Sequence, residues 1–165
     1  MKGKRRAHEI SPSFITLAPG PTVPRWVNRL VVGLLRSPFH ALLSHTTMLL
    51  TFTGRKSGRR YTIPVRYLRE DETLLTLTDS PWWRNPRDGA PVDLYIAGQN
   101  VRGRAEMNTN PEDVKQGINA MLRQAPSDAR FYQVRFDWHG QPNMTSLKQA
   151  AQLHVLITIQ MENHA

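Results

Sequence analysis

Two hydrophobic periods alternate along this chain, and the switches between them outline its elements. Thr47-Met48-Leu49-Leu50-Thr51-Phe52 is an apolar, β-branched run of strand length, and Tyr61-Thr62-Ile63-Pro64-Val65-Arg66-Tyr67-Leu68 reads as its neighbour. A polar turn at Arg69-Glu70-Asp71-Glu72 leads into a third strand, Thr73 to Thr78. Beyond the loop 79–89 lie a fourth strand, Pro91 to Ala97, and a fifth, Val101 to Met107, joined through Gly98-Gln99-Asn100. A helical period appears from Pro24 to Arg36, where Trp26, Leu30, Gly33 and Leu34 share a face. It returns after Asn110-Pro111-Glu112-Asp113, whose cap residue, N1 proline and acidic first turn predict a helix to about Gln124. Ala129 to Asp137 reads as a further strand ended at His139-Gly140. A short helix near Met144 to Ala151 and a last strand, Leu153 to Met161, complete the series.

Consecutive strands with tight turns predict a barrel or sandwich, and the interspersed helices make the class α+β. No repeat, low-complexity segment or linker divides residues 24–165, so one domain is expected. Residues 1–23 read as a mobile arm: Lys2, Lys4, Arg5 and Arg6 are followed by Pro12, Pro19 and Pro21, without the apolar core of a secretory signal. The helix at 24–36 is too short to span a bilayer. With Arg25, Arg29 and Arg36 beside Trp26 and the leucines it is either a peripheral membrane contact or a cover for the mouth of the sheet.

Composition narrows the chemistry. The 165 residues include no cysteine, which removes disulfides, thiol nucleophiles and thiolate-bound zinc and agrees with a cytoplasmic location. A net charge of +9 implies an anionic partner of some kind. Part of that charge lies in the N-terminal arm, and a dense group of four cations lies in Thr53-Gly54-Arg55-Lys56-Ser57-Gly58-Arg59-Arg60, between the first two strands. Gly54 and Gly58 permit positive φ, so this loop is expected to fold back and aim backbone N–H groups at one point. Four cationic side chains around that point suit a phosphate or carboxylate. A solvated hairpin loop has the same composition, and the Walker phosphate-loop pattern is absent.

The second unusual stretch is Trp82-Trp83-Arg84-Asn85 in the loop after the third strand. Adjacent tryptophans are costly in water, so at least one is expected to bury, against a planar heterocycle or against the protein's own core. The six histidines form no i,i+4 pair on a helix and no set with carboxylates, so no metal site is expected. No Gly-x-Ser-x-Gly elbow is present, and hydrolytic catalysis has no support. Basic residues spread over an arm and loops, without a stacking platform, leave nucleic acid an unexpected partner. Any reactivity would come from a bound cofactor.

The order and spacing of these pieces resemble the deazaflavin-dependent nitroreductase family, also described as F420H2-dependent quinone reductases. The matching segments are Leu50 to Gly58, Pro64-Val65-Arg66-Tyr67, Trp82-Trp83-Arg84-Asn85, Gly89-Ala90-Pro91-Val92 and Gly103-Arg104-Ala105-Glu106. The resemblance implies a split β-barrel of six to seven mainly antiparallel strands with flanking helices, as in FMN-binding proteins, and a homodimer. It implies coenzyme F420, with flavin mononucleotide as the alternative, and hydride transfer to a quinone, nitroaromatic or activated alkene. Thr53, Gly54, Arg55, Lys56, Ser57, Gly58, Arg59 and Arg60 would face the coenzyme's phosphate and acidic tail. Thr78 and the loop Trp82, Trp83, Arg84 and Asn85 would flank the deazaflavin, with Pro64 and Val65 beneath the ring. Tyr61, Tyr67 and Tyr132 are the candidate proton donors, each with an alternative role in packing. The chain departs from the family where Tyr61 replaces a common Arg and Pro86 a common Leu, and the loop before Trp82 is shorter. The other readings of the same barrel are an FMN-dependent reductase and a non-catalytic lipid- or cofactor-binding protein at the inner membrane surface.

Overall fold

The computed structural model describes residues 46–162; the arm at 1–23 and the helix expected at 24–36 lie outside them. Seven strands form one antiparallel sheet: β1 (Thr47–Thr53), β2 (Arg60–Arg66), β3 (Leu68–Glu70), β4 (Thr73–Thr78), β5 (Ala90–Ile96), β6 (Gln99–Asn108) and β7 (Val155–Met161). Their order is β2-β1-β5-β6-β7-β4-β3. β2 and β3 therefore occupy opposite edges, although only Tyr67 separates them in the chain. The sheet must curl until its edges approach, and β2 indeed contacts β4. The result is an α+β split barrel, as the strand pattern and the resemblance implied.

That closure corrects the expected single strand 61–68. The segment bends at Tyr67, whose ring is buried and whose N–H donates to Thr46 O at 3.1 Å. Pro64 sits on the edge strand β2, where a missing N–H interrupts no second ladder.

Side-chain alternation across the sheet makes two cores. Met48, Leu50 and Phe52 from β1, Val92, Leu94 and Ile96 from β5, and Ile157 and Ile159 from β7 fill the barrel interior. On the outer face Leu68, Leu75, Leu77 and Leu156 pack against two helices, α1 (Pro111–Gln124) and α3 (Met144–Leu153). α1 starts where predicted: Asn110 Oδ1 accepts from the N–H of Glu112 at 2.9 Å and of Asp113 at 3.4 Å. It buries Val114, Ile118, Met121 and Leu122, the spacing of one helical face. α3 is capped in the same way by Asn143, with bonds of 3.1 Å from Thr145 N and Ser146 N.

The strand expected over 129–137 does not form. Pro126 opens a 3₁₀ turn that runs into a one-turn helix, α2 (Ala129–Tyr132), and Gln133 reverses the chain at φ 58°. The apolar residues that bury, Ala129, Tyr132 and Val134, do not repeat with period two. Only Phe136 and Pro142 pair across this stretch.

Candidate functional site

The basic loop and the tryptophan loop meet at one end of the barrel. Gly54 N–H donates to Arg59 O and Gly58 N–H to Gly54 O, both at 2.8 Å, so the loop folds back as expected. Gly58 has φ 63°, but Gly54 does not need the left-handed region. Its requirement is space, because a Cβ there would lie 2.7 Å from both Ser57 Oγ and Tyr61 Cε2. Arg59 N–H donates to Ser57 Oγ at 3.3 Å. With Arg55 N–H also committed, the loop's backbone donors are mostly spent internally, which corrects the expectation of a convergent N–H nest. The side chains carry the charge outward.

Asn85 joins the loops. Its Oδ1 accepts from Arg55 N–H at 3.1 Å, and its Nδ2 donates to Trp82 O at 2.9 Å. The tryptophans ride on a 3₁₀ turn, Pro81–Arg84, opened by Pro81 and held to β4 by the Ser80 N–H···Thr78 Oγ1 bond of 3.1 Å. Both indoles are partly buried on the barrel core. Trp82 stacks on Phe52 with centroids 5.5 Å apart, and Phe52 stacks in turn on Tyr61 at 5.9 Å. Trp82 is thus an internal packing residue at the mouth of the barrel. Trp83 carries the Arg84 guanidinium over its ring at 4.9 Å, a cation–π contact.

The four loop cations are not equivalent. Arg55 is 3.4 Å from Asp88, which also faces Arg87, and Arg60 pairs with Asp93. Lys56 and Arg59 have no ion-pair partner among the described residues, so they are the cations open to an added anion. Pro64 and Val65, adjacent on β2, point to opposite faces, Val65 onto the interior core. The three tyrosines separate likewise. Tyr61 is 44% exposed, and its hydroxyl lies 3.2 Å from Ser57 Oγ. Tyr67 is buried at the β2–β3 bend, and that burial raises its hydroxyl pKa. Tyr132 lies in the helical core, edge-on to His154, and its pKa is pushed up strongly by burial and then by Asp128.

A feature not anticipated from the sequence is a cleft of about 770 Å³ on the outer face of β2, β1, β5 and β6. Leu49, Thr51, Arg60, Thr62, Asp93 and Arg102 line it, and it touches the basic loop only through Arg60. Asp93 lies between Arg60 and Arg102, and the Thr51 and Thr62 hydroxyls bond each other at 2.9 Å. Polar residues at alternate strand positions hinted at a solvated face, but strand order was needed to bring them together. No group of three or more His, Asp or Glu able to hold a metal occurs among the described residues.

No family model matches the chain, and no curated protein does. Solved structures with a similar chain path include an F420-H2 dependent reductase, 16% identical over 70% of this chain and 96% of that one, TM-score 0.48. The haem storage protein of Vibrio cholerae is 13% identical over 78% and 92%, TM-score 0.47. An FAD-binding protein of Mesorhizobium loti is 19% identical over 77% and 91%, TM-score 0.43.

Proposed function

We propose that this chain is a deazaflavin-dependent oxidoreductase that uses reduced coenzyme F420 to reduce a quinone, nitroaromatic or activated alkene. The observation that carries the reading is the Asn85 clamp. It holds the cationic loop and the Trp82–Trp83 turn as one unit, so a ligand with an anionic end and a planar ring has matching donors side by side. The residues fit such a group: Lys56 and Arg59 are cations without a partner among the described residues, and Arg84 and Trp83 offer a cation and an aromatic surface. When bound, the reduced deazaflavin supplies the hydride. The protein's part is to orient that ring, to exclude water from it and to hold the acceptor at reacting distance. The Tyr61 hydroxyl, relayed to Ser57 Oγ, is the candidate to deliver the accompanying proton. Flavin mononucleotide also carries a phosphate and a planar ring and is the competing ligand.

Fluorescence titration with F420 and, separately, with flavin mononucleotide tests the reading. F420 is expected to bind more tightly, and Lys56→Ala/Arg59→Ala to weaken that binding by roughly tenfold or more, since a charge-assisted contact contributes about 1.5–3 kcal/mol. Arg55→Ala, already committed to Asp88, is expected to cost less. Preference for flavin mononucleotide would move the chemistry to flavin, and binding of neither would remove the enzymatic reading.

A further inference from the structure

The hairpin Phe136–Pro142 is built to hold an aromatic side chain in water. Trp138 at its tip is 88% exposed, and Phe136 beside it and Met144, at the start of α3, are exposed as well. The hairpin is closed by four hydrogen bonds. Asp137 Oδ1 accepts from His139 N–H and Gln141 N–H, both at 2.9 Å, Asp137 N–H donates to Gln141 O at 2.8 Å, and Gly140 N–H donates to Asp137 O at 3.1 Å. Below it, Asn143 N–H donates to Arg135 O at 2.7 Å and Arg135 N–H to Ser146 Oγ at 3.0 Å, anchoring the hairpin to α3. Burying an indole is strongly favourable, yet this ordered turn leaves one in water.

We infer that this hairpin is a membrane-surface contact, with Trp138 seated at the headgroup level of an anionic bilayer. Charge selects the partner. Arg130, Arg135 and Lys148 are exposed and have no ion-pair partner among the described residues. Asp137 is the sole acidic residue between 129 and 153, and its Oδ1 is turned inward onto backbone N–H groups. Trp138 lies against the His139 ring, with centroids 3.2 Å apart, and Arg130 lies over the Phe131 ring at 4.8 Å, so the segment pairs exposed aromatic groups with cations that no acid among the described residues neutralises. That composition matches interfacial anchors, and each basic residue near an anionic surface raises affinity about fivefold. A second copy of the chain fits less well: a stable protein interface takes roughly 20–30 residues a side, far more than a convex hairpin tip presents. This surface differs from the helix at 24–36 and needs no bound coenzyme.

The test is co-sedimentation of the full-length protein with vesicles of phosphatidylcholine alone, or with about one third phosphatidylglycerol. Binding is expected only to the anionic vesicles and is expected to fall as salt rises. Trp138→Ala should lower that affinity about tenfold, by loss of the buried indole. Arg130→Gln/Arg135→Gln should lower it by about fivefold per charge removed. Brominated acyl chains should quench part of the wild-type tryptophan fluorescence, and Trp138→Phe should remove that part while largely preserving binding. Because the ring contact of Trp138 among the described residues is with its neighbour His139, and the Arg130 and Arg135 side chains are exposed, these variants should keep the wild-type circular dichroism. Three results would overturn the proposal: no vesicle binding by the wild type, equal binding by Trp138→Ala, or self-association that Trp138→Ala abolishes.

Discussion

One side-chain amide couples the two halves of the candidate site, which makes Asn85 the most informative single residue. Asn85→Ala removes both the acceptor for Arg55 N–H and the donor to Trp82 O, and each such bond is worth about 0.5–1.5 kcal/mol. The expected outcome is coenzyme binding weakened roughly tenfold with a stability loss of about 1–3 kcal/mol. Asn85→Asp keeps the acceptor, loses the donor and adds a negative charge beside the anion site, so it should bind more weakly still. A titration that leaves both variants equal to wild type would mean that the loops do not need one another. Gly54→Ala acts differently, since its Cβ would displace Ser57 and the ring of Tyr61. It should cost about 1–3 kcal/mol by overpacking and disturb the Tyr61–Phe52–Trp82 stack.

At the scale of elements, an ion pair between half-buried Arg66 and buried Asp128 supplements the apolar contacts between the sheet and the helical layer. Arg66 Nε donates to Asp128 Oδ2 at 2.8 Å and Nη2 to Oδ1 at 2.5 Å, linking β2 to the turn before α2. Asp128 is 3% exposed, so removing its partner strands a charge in the interior. Arg66→Ala is expected to lose about 3 kcal/mol in urea unfolding, against about 1 kcal/mol for the α1 cap variant Asn110→Ala. Equal losses would show that the pair is solvated in solution. The Pro-Val-Arg-Tyr segment quoted for its resemblance therefore serves the architecture at two of its positions, Arg66 in this pair and Tyr67 at the bend.

For the whole molecule, the two buried tyrosines predict an alkaline limit. Tyr67 and Tyr132 hold their protons more tightly when folded than when unfolded, chiefly because burial disfavours the phenolate. The unfolded chain therefore releases these protons first as pH rises. Above an unfolded pKa near 10 it binds fewer protons than the native state, and stability falls by up to about 1.4 kcal/mol per pH unit for each group. The stabilisation is complete below about pH 10. Tyr132→Phe should flatten the high-pH side of a stability–pH curve without altering its neutral region. It should also leave reduction rates unchanged, since Tyr132 lies in the helical core rather than at the loops. No helix among the described residues is long and apolar enough to cross a membrane.

Local signals in the chain sufficed wherever the deciding interactions are local. Strand alternation, the Asn110-Pro111 cap and the turn residues placed β1, β4, β5, β6, β7, α1 and α3 to within a few positions, because period, capping and φ preference act over a handful of bonds. The density of cations at 55–60 and the paired tryptophans also singled out two loops that the structure brings into contact. Tertiary structure decided what depends on distance. Which edge Leu68 joins follows from the curl of the sheet, and Ala129 to Tyr132 turn helical because burial of Ala129 and Tyr132 in the helical-layer core outweighs β propensity. Which cations remain unpaired was likewise undetermined by the sequence: Asp88 and Asp93 lie 33 residues from their partners Arg55 and Arg60. Packing alone brings Asn85 onto a backbone N–H 30 residues earlier, and that contact joins the two loops of the candidate site.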